Sequence, residues 1–164
     1  MIVFEAVTVA YAGVPALRDA SFTVAEGELR LVVGPTGSGK TSLLECLADS
    51  SASGTSTGLG RGADCTHTGR VLVDGHDLRD RTADERKALV GLVRQDPAAG
   101  LVAGTVESVI STGVRPRADD PHAGQRQVEE TLDLLGLAEL RDRPVSEFSG
   151  GQRQRVAIGV ALAA

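Results

Sequence analysis

The first part of the chain alternates short apolar runs with glycine-containing turns, a pattern that predicts β-strands. Residues 2–9 form a β-rich run, and residues 20–25 alternate apolar and polar positions as a half-buried strand does. Residues 29–33 predict a short apolar strand that ends at Gly34. From Thr41 to Asp49 the leucines recur at helical spacing. The predicted order here is therefore strand, glycine-rich loop, helix.

The middle of the chain contains a long polar stretch between predicted elements. Residues 50–69 are rich in Ser, Thr and Gly and predict a flexible surface loop. Short apolar runs at residues 71–73 and 90–93 predict two strands, separated by a charged helical turn at residues 82–88. Strand patterns alternating with helical ones indicate the α/β class.

The last third of the chain has helical periodicity. One helix is predicted from Thr105, a second over Gln127–Leu135, and a third from Ser149 to the end of the chain. Residues 141–148 are predicted to be a linker between the last two helices. There is no internal repeat.

Composition excludes several classes of protein. With 164 residues, 41% of them apolar and 24% charged, the chain has the size and composition of one globular domain. A net charge of −5 gives no basic footprint, so nucleic acid is not expected as a partner. The sequence has neither a signal-peptide pattern nor an apolar run of about 20 residues, which favours the cytosol.

The segment Gly34–Thr41 fits the pattern G-x-x-x-x-G-K-[ST], which predicts a phosphate-binding loop. Glycines let backbone N–H groups wrap around phosphate oxygens, and the following helix adds its positive N-terminal end. Lys40 supplies a charge for the β and γ phosphates, and the Thr41 hydroxyl suits Mg²⁺. The predicted ATP-binding residues of this loop are Gly34, Pro35, Thr36, Gly37, Ser38, Gly39, Lys40, Thr41 and Ser42.

A second glycine-rich helix start is predicted at Ser149. Ser149 is a helix N-cap and Gln152 lies three residues on, which is the spacing of a capping box. Gly150 and Gly151 fall in the first helical turn, where each costs up to about 1 kcal/mol relative to alanine. That cost is understandable if bare backbone must meet a ligand, so the site is a second candidate for anion binding. The alternative is an ordinary cap with incidental glycines.

The run Phe148–Gln152 resembles the signature of ATP-binding-cassette (ABC) proteins, usually Leu-Ser-Gly-Gly-Gln, and departs from it only at Phe148. Together with the phosphate loop, in the correct order, it identifies the chain as a member of that family. The resemblance implies a P-loop NTPase fold with a RecA-like core and an antiparallel β subdomain over about residues 1–95. It also implies a helical subdomain at about 96–148 and a signature helix at 149–164.

The same resemblance implies roles for further residues. Tyr11 resembles the aromatic residue that stacks on adenine, although its alternative role is core packing. Gln95 matches the glutamine that reaches Mg²⁺ and the attacking water, so Lys40 and Gln95 are the expected catalytic residues and Thr41 and Gln95 the metal ligands. Ser149, Gly150 and Gly151 would contact the γ phosphate bound by an opposing protomer, and Gln152 belongs to the same nucleotide-binding half-site. The implied working unit is a head-to-tail dimer of two cassettes with two ATP molecules between them.

In the family, the signature helix leads into a strand that ends in a Mg²⁺-binding Asp followed by a catalytic Glu, and a His comes later. None of these can be placed within the 164 residues. The resemblance therefore implies that the chain is an N-terminal fragment or truncated product of a longer ATP hydrolase. The 164-residue chain alone is expected to hydrolyse ATP only at background level.

The branch of the family is indicated by two features. Sustained heptads are absent, which disfavours the ABC proteins of DNA maintenance. The segment Gln95–Glu107 is similar to the corresponding stretch of energy-coupling-factor and cobalt-type cassettes. This similarity implies an ATP-binding transport subunit at the cytoplasmic face of the membrane, with transmembrane partner subunits and uptake of a vitamin or metal ion. The alternatives are a soluble ABC ATPase of translation or DNA maintenance, and a P-loop kinase, which leaves Ser149–Gln152 unexplained.

Overall fold

The structure is a computed structural model that describes residues 1–48, 65–96, 101–115 and 120–164. It falls into two units, Met1–Val90 and Gly91–Ala164, here called the sheet unit and the helical unit. The sheet unit contains, in chain order, β1 (Ile2–Tyr11), β2 (Val14–Val24), α1 (Lys40–Ala48), β3 (Cys65–Val73), β4 (His76–Asp77), a 3-10 turn (Leu78–Asp80) and α2 (Ala83–Leu89). The helical unit contains α3 (Val106–Ser111), α4 (Ala123–Leu134), two 3-10 turns (Ala138–Leu140 and Val145–Glu147) and α5 (Gly150–Leu162). No helix of the described residues is long and apolar enough to cross a membrane.

The sheet unit is built on four antiparallel strands in the order β2-β1-β3-β4. The predicted strands at residues 2–9 and 20–25 are confirmed as β1 and the end of β2, which a tight turn at Ala12–Gly13 connects. β1 hydrogen-bonds on both sides, and its β-branched residues Val7 and Val9 are buried in the core of the unit. This core also receives α1 through Leu43.

The prediction of a loop over residues 50–69 is wrong at its end. β3 begins at Cys65, and residues 65–68 pair with β1; the rest of the predicted loop before Cys65 lies outside the described residues. The composition of this segment, with Thr66, His67 and Gly69, is typical of a loop. The backbone N–H and C=O groups of β1 along this edge nevertheless need hydrogen-bond partners, and pairing with β3 supplies them. Gly69 lies so close to β1 that a Cβ there would be 2.4 Å from the Ala6 carbonyl oxygen.

Two other predicted strands do not form. Residues 29–33 and 90–93 are irregular in the structure. Leu29, Leu31 and Val33 are 96%, 80% and 77% exposed. An apolar run becomes a strand only when a neighbouring strand takes up its backbone hydrogen bonds, and among the described residues none pairs with this segment.

The helical unit has its own apolar core around α3, α4 and α5. Its buried members are Val106, Val109, Ile110, Val128, Leu132, Leu137, Val145, Phe148, Val156 and Ala163. α4 begins at Ala123, four residues before the predicted start, and the predicted linker at 141–148 contains a 3-10 turn. α3 begins where the sequence predicts, because the Thr105 side chain accepts a hydrogen bond from the Ser108 amide and caps it.

Candidate functional site

The glycine-rich loop of the sheet unit packs tightly against a neighbouring strand. The loop ends at Gly39, immediately before α1, and Gly39 has a φ of +87°. A Cβ atom there would lie 2.3 Å from the carbonyl oxygen of Ala16 in β2. Glycine is therefore required at this position both by the backbone conformation and by the approach of β2.

Lys40, the first residue of α1, folds back over the loop. Its ammonium donates to the carbonyl oxygens of Gly34 at 2.9 Å and Pro35 at 2.7 Å. The loop is closed by a further bond, from the Ser38 amide to the Pro35 carbonyl oxygen at 3.2 Å. The cation is thus held inside the loop by neutral oxygens, and an anionic oxygen would replace these as a stronger, charge-assisted partner.

The start of α1 has the electrostatics of an anion site. The first four N–H groups of a helix have no intrahelical acceptor, and the helix dipole places partial positive charge there. The first turn of α1 contains no acidic residue. Thr41 is exposed beside Lys40, so its hydroxyl is accessible to a ligand. The donors present therefore fit a phosphate chain with an accompanying divalent cation.

Tyr11 lies at the end of β1 and contacts the same helix. Its side chain is half-buried, packs against the core of the sheet unit, and donates a hydrogen bond from the phenol to Ser42 Oγ at 3.2 Å. Ser42 is only 9% exposed. The structure thus brings Tyr11 next to the helix that follows the loop. The sequence gives no sign of this contact, because the two residues are 31 positions apart.

The capping box predicted at the start of α5 is confirmed. Ser149 Oγ accepts a hydrogen bond from the Gln152 amide at 3.4 Å, and the Gln152 side chain accepts one from the Ser149 amide at 2.9 Å. Gly150 and Gly151 are exposed and have no positive φ, and a Cβ at either would meet no atom of the described residues within 4 Å. Phe148 is buried in the core of the helical unit, which accommodates the departure from the leucine of the signature.

The segment that leads to α5 is fastened to the start of α3. The Val106 amide donates to the Arg143 carbonyl oxygen at 3.1 Å, and the Glu107 amide donates to that of Arg141 at 3.0 Å. The Arg141 guanidinium also donates to the Glu107 carboxylate at 2.5 Å. No local sequence pattern indicates this contact, because the two residues are 34 positions apart. The bonds hold the backbone before Ser149 in a fixed conformation.

The predicted site residues divide between the two units. Tyr11 and Gly34–Ser42 belong to the sheet unit, whereas Gln95 and Ser149–Gln152 belong to the helical unit. Gln95 is exposed and lies outside regular secondary structure. Tyr11 and Gly34–Ser42 lie around the start of α1, and Ser149–Gln152 form the start of α5.

Comparison with known proteins gives consistent matches. The sequence model of the family described as ABC transporter matches residues 17–164. A Streptomyces avermitilis protein named as an ABC transporter ATP-binding protein is 48% identical over 99% of this chain. An energy-coupling factor transporter ATP-binding protein of Symbiobacterium thermophilum is 40% identical over 99% of it. A cobalt import ATP-binding protein of Rhodobacter capsulatus is 38% identical over 97%.

Solved structures agree with the sequence matches. A dimeric ATP-binding cassette in a post-hydrolysis state with bound ADP and phosphate has a TM-score of 0.74 and 26% identity, over 99% of this chain and 69% of that one. The present chain spans 28% of the Streptomyces avermitilis protein and about half of the other two relatives, 54% and 53%. The predicted family and α/β cassette fold are therefore confirmed.

Proposed function

This chain belongs to the ABC transporter family, and we propose that it binds ATP with Mg²⁺ and forms part of the ATP-binding subunit of a membrane transporter. The observation that carries the proposal is the loop Gly34–Gly39, closed around Lys40 at the start of α1 and packed on β2 through Gly39. The loop places a cation, a helix N-terminus and an exposed hydroxyl together, with no acidic residue in the first helical turn.

In the proposed complex each residue has a distinct role. Backbone amides of Gly34–Gly39 surround the phosphates, and Lys40 leaves its carbonyl partners to bind β and γ phosphate oxygens. Thr41 would hold Mg²⁺, which when bound neutralises phosphate charge. Tyr11 would stack on adenine, and Gln95 would contact the metal and orient the attacking water.

The signature helix supplies the second half of the proposed site. Gly150 and Gly151 are unexplained by space or by backbone conformation within this chain, although each weakens the helix relative to alanine. A reason outside the chain is the close approach of another molecule to the bare backbone. We propose that this molecule is ATP held by a second cassette, in a dimer of the kind found for the related cassette with bound ADP and phosphate.

The proposed cellular role is energy supply for uptake. Relatives include proteins named for energy-coupling-factor transport and for cobalt import. The resemblance of Gln95–Glu107 to cassettes of that kind, noted from the sequence, supports the same proposal. We propose that the cassette works at the cytoplasmic face of the membrane with membrane-spanning partner subunits, and that the cargo is a vitamin or a transition metal ion. Copurification with the products of neighbouring genes that encode several apolar spans tests the partners.

ATP binding can be tested by substituting each of the chain's two lysines, Lys40 and Lys87. We expect Lys40→Ala to weaken ATP binding by about 10- to 100-fold, since charged hydrogen bonds contribute about 1.5–3 kcal/mol. Lys87→Ala, on the exposed surface of α2, is the matched control and should bind as the parent does. Calorimetric titration with Mg²⁺ and ATP measures both. Equal affinity of the Lys40→Ala variant and the parent would overturn the proposed role of the loop.

A further inference from the structure

The chain has one tyrosine and no tryptophan, and that tyrosine touches the helix that follows the phosphate loop. Tyr11 ends β1, where it pairs with Val14 of β2 on one side and Cys65 of β3 on the other. Its backbone is therefore held by the sheet, and its hydroxyl reaches Ser42 Oγ at 3.2 Å. This hydrogen bond connects the sheet to the first turn of α1.

The direction of this hydrogen bond determines what Ser42 can do. A hydroxyl group has one proton to donate and two lone pairs that can accept. When Tyr11 is the donor, it occupies a lone pair of Ser42 and leaves the Ser42 proton for a different acceptor. Hydrogen bonds in such a chain polarise one another, which makes Ser42 a better donor than an isolated serine. Because Ser42 is buried, water competes little for this hydroxyl.

We propose that Tyr11 is a positioning residue for the phosphate end of the nucleotide, acting through its hydroxyl. The phenol orients Ser42 so that the Ser42 hydroxyl donates to a phosphate oxygen in the loop. Tyr11 thereby links recognition of the base, through its ring, to recognition of the phosphates, through Ser42. This inference rests on the proposed ATP binding, but the stacking role alone does not require the hydroxyl.

The two roles are separated by Tyr11→Phe, which keeps the ring and removes the hydroxyl. We expect this variant to lose about three- to tenfold in affinity for ATP and for inorganic tripolyphosphate, the range of one ordinary hydrogen bond. Its affinity for adenosine should equal that of the parent. Tyr11→Ala removes the ring as well and should weaken binding of adenosine too.

A double-mutant cycle assigns the effect to the bond itself. Ser42→Ala should weaken tripolyphosphate binding at least as much as Tyr11→Phe, and adding Tyr11→Phe to Ser42→Ala should cost nothing further. Ser21→Ala is the matched control, because the Ser21 hydroxyl accepts from the Ala6 amide within the same sheet and does not bond α1. It should leave the affinities for all three ligands unchanged.

The measurements are calorimetric titrations of the purified protein with ATP, tripolyphosphate and adenosine. Emission of the sole tyrosine reports ring stacking independently, and thermal melting without ligand reports folding. If Tyr11→Phe lowers the melting temperature, Ser42→Ala tests the same bond from its other end with the ring intact.

The outcomes separate this inference from the proposed function. A parent protein that binds neither ATP nor tripolyphosphate contradicts both. A parent that binds both, with a Tyr11→Phe variant of equal affinity, overturns the role of the hydroxyl and leaves ATP binding standing. Equal weakening of all three ligands, adenosine included, shows a merely structural role and also overturns the proposal. Selective weakening of ATP and tripolyphosphate, absent when Ser42 is already alanine, supports it.

Discussion

α1 and α5 both begin after or within glycine-containing runs, yet the two helix starts depend on glycine for opposite reasons. At α1, Gly39 has a positive φ and lies against the backbone of β2, so the chain itself demands glycine. At α5, Gly150 and Gly151 have open space around them and no positive φ, and the helix is already capped by Ser149. Contacts within the chain determine the conformation at the start of α1. The start of α5 instead exposes its glycine backbone to solvent.

Because of this difference, alanine substitutions should affect the two glycine-rich helix starts in different ways. An internally required glycine is needed for folding and for binding, because its replacement disturbs the loop. A glycine that is needed only for contact with a partner molecule affects binding of that partner and not folding. Alanine substitution at each site therefore separates stability from function.

The largest effect is expected for Gly39→Ala. A non-glycine residue in the left-handed region costs about 1–3 kcal/mol, and here the added Cβ also collides with the Ala16 carbonyl. We expect a loss of several kcal/mol in the unfolding free energy of the sheet unit, or a distorted loop whose ATP affinity falls at least about 100-fold. Urea unfolding and calorimetric titration measure the two quantities.

Gly37 provides the matched control for that substitution. Gly37 also has a positive φ, +83°, but a Cβ there would meet nothing within 4 Å. Gly37→Ala should therefore show only the conformational cost. If both variants unfold at the same urea concentration and bind ATP equally, the packing of Gly39 on β2 has no consequence.

At α5 the expected pattern is reversed. Gly150→Ala and Gly151→Ala should leave stability unchanged or raise it by up to about 1 kcal/mol each, since alanine is the better helix former. ATP binding to the loop should not change. ATP-dependent dimerisation should weaken at least about tenfold, because a methyl group would then stand between the backbone and the partner's nucleotide. Variants that dimerise with ATP as tightly as the parent would contradict the proposed outward role.

The two helix starts also differ in how far the sequence could predict them. The capping box of α5 follows from Ser149 and Gln152 alone, because both partners lie in one helical turn. The packing of Gly39 on Ala16 and the contact of Tyr11 with Ser42 depend on the sheet, and no local pattern encodes them. Roles that involve a bound nucleotide or a second cassette stay predictions.

The errors in secondary structure have the same physical origin. Residues 29–33 have the composition of a strand, but a strand also needs a neighbour, and composition does not supply one. Residues 65–68 have the composition of a loop, yet β1 lies alongside and pairs with them. In both places tertiary context, which a single sequence does not show, outweighs local preference.

A smaller loss of stability is expected when a helix N-cap is removed, and each unit has a capping box in which this can be measured. Ser149→Ala removes the N-cap of α5 and should lower the stability of the helical unit by about 1 kcal/mol. Thr82 and Glu85 form an equivalent capping box at α2 in the sheet unit, so Thr82→Ala is the control. Hydrogen exchange of amides in α5 should accelerate in the first variant and not in the second. Identical exchange in α5 for both variants would show that the Ser149 cap contributes nothing.

The smallest effect concerns acid sensitivity, which should be greater in the sheet unit. The Asp77 side chain is 8% exposed, and hydrogen bonding from Arg79 holds its pKa far below the ordinary value near 3.8, with further bonds from the Arg79 amide and Arg70. Asp120 of the helical unit also has a lowered pKa, chiefly through Arg126, but its side chain is 38% exposed and its pair is more screened.

A carboxylate with a depressed pKa in the folded state contributes stability above its unfolded pKa, and this contribution is lost as the pH falls below it. The stability contributed by Asp77 should therefore be complete above about pH 4 and decline as the pH falls further. Asp77→Asn should flatten this decline and cost below about 1 kcal/mol at neutral pH. Urea unfolding between about pH 2.5 and pH 6, which spans the pH range in which aspartates titrate, measures this decline in stability. A larger flattening by Asp120→Asn would contradict the expected order, because Asp77 is both the less exposed of the two carboxylates and the one with two arginine partners.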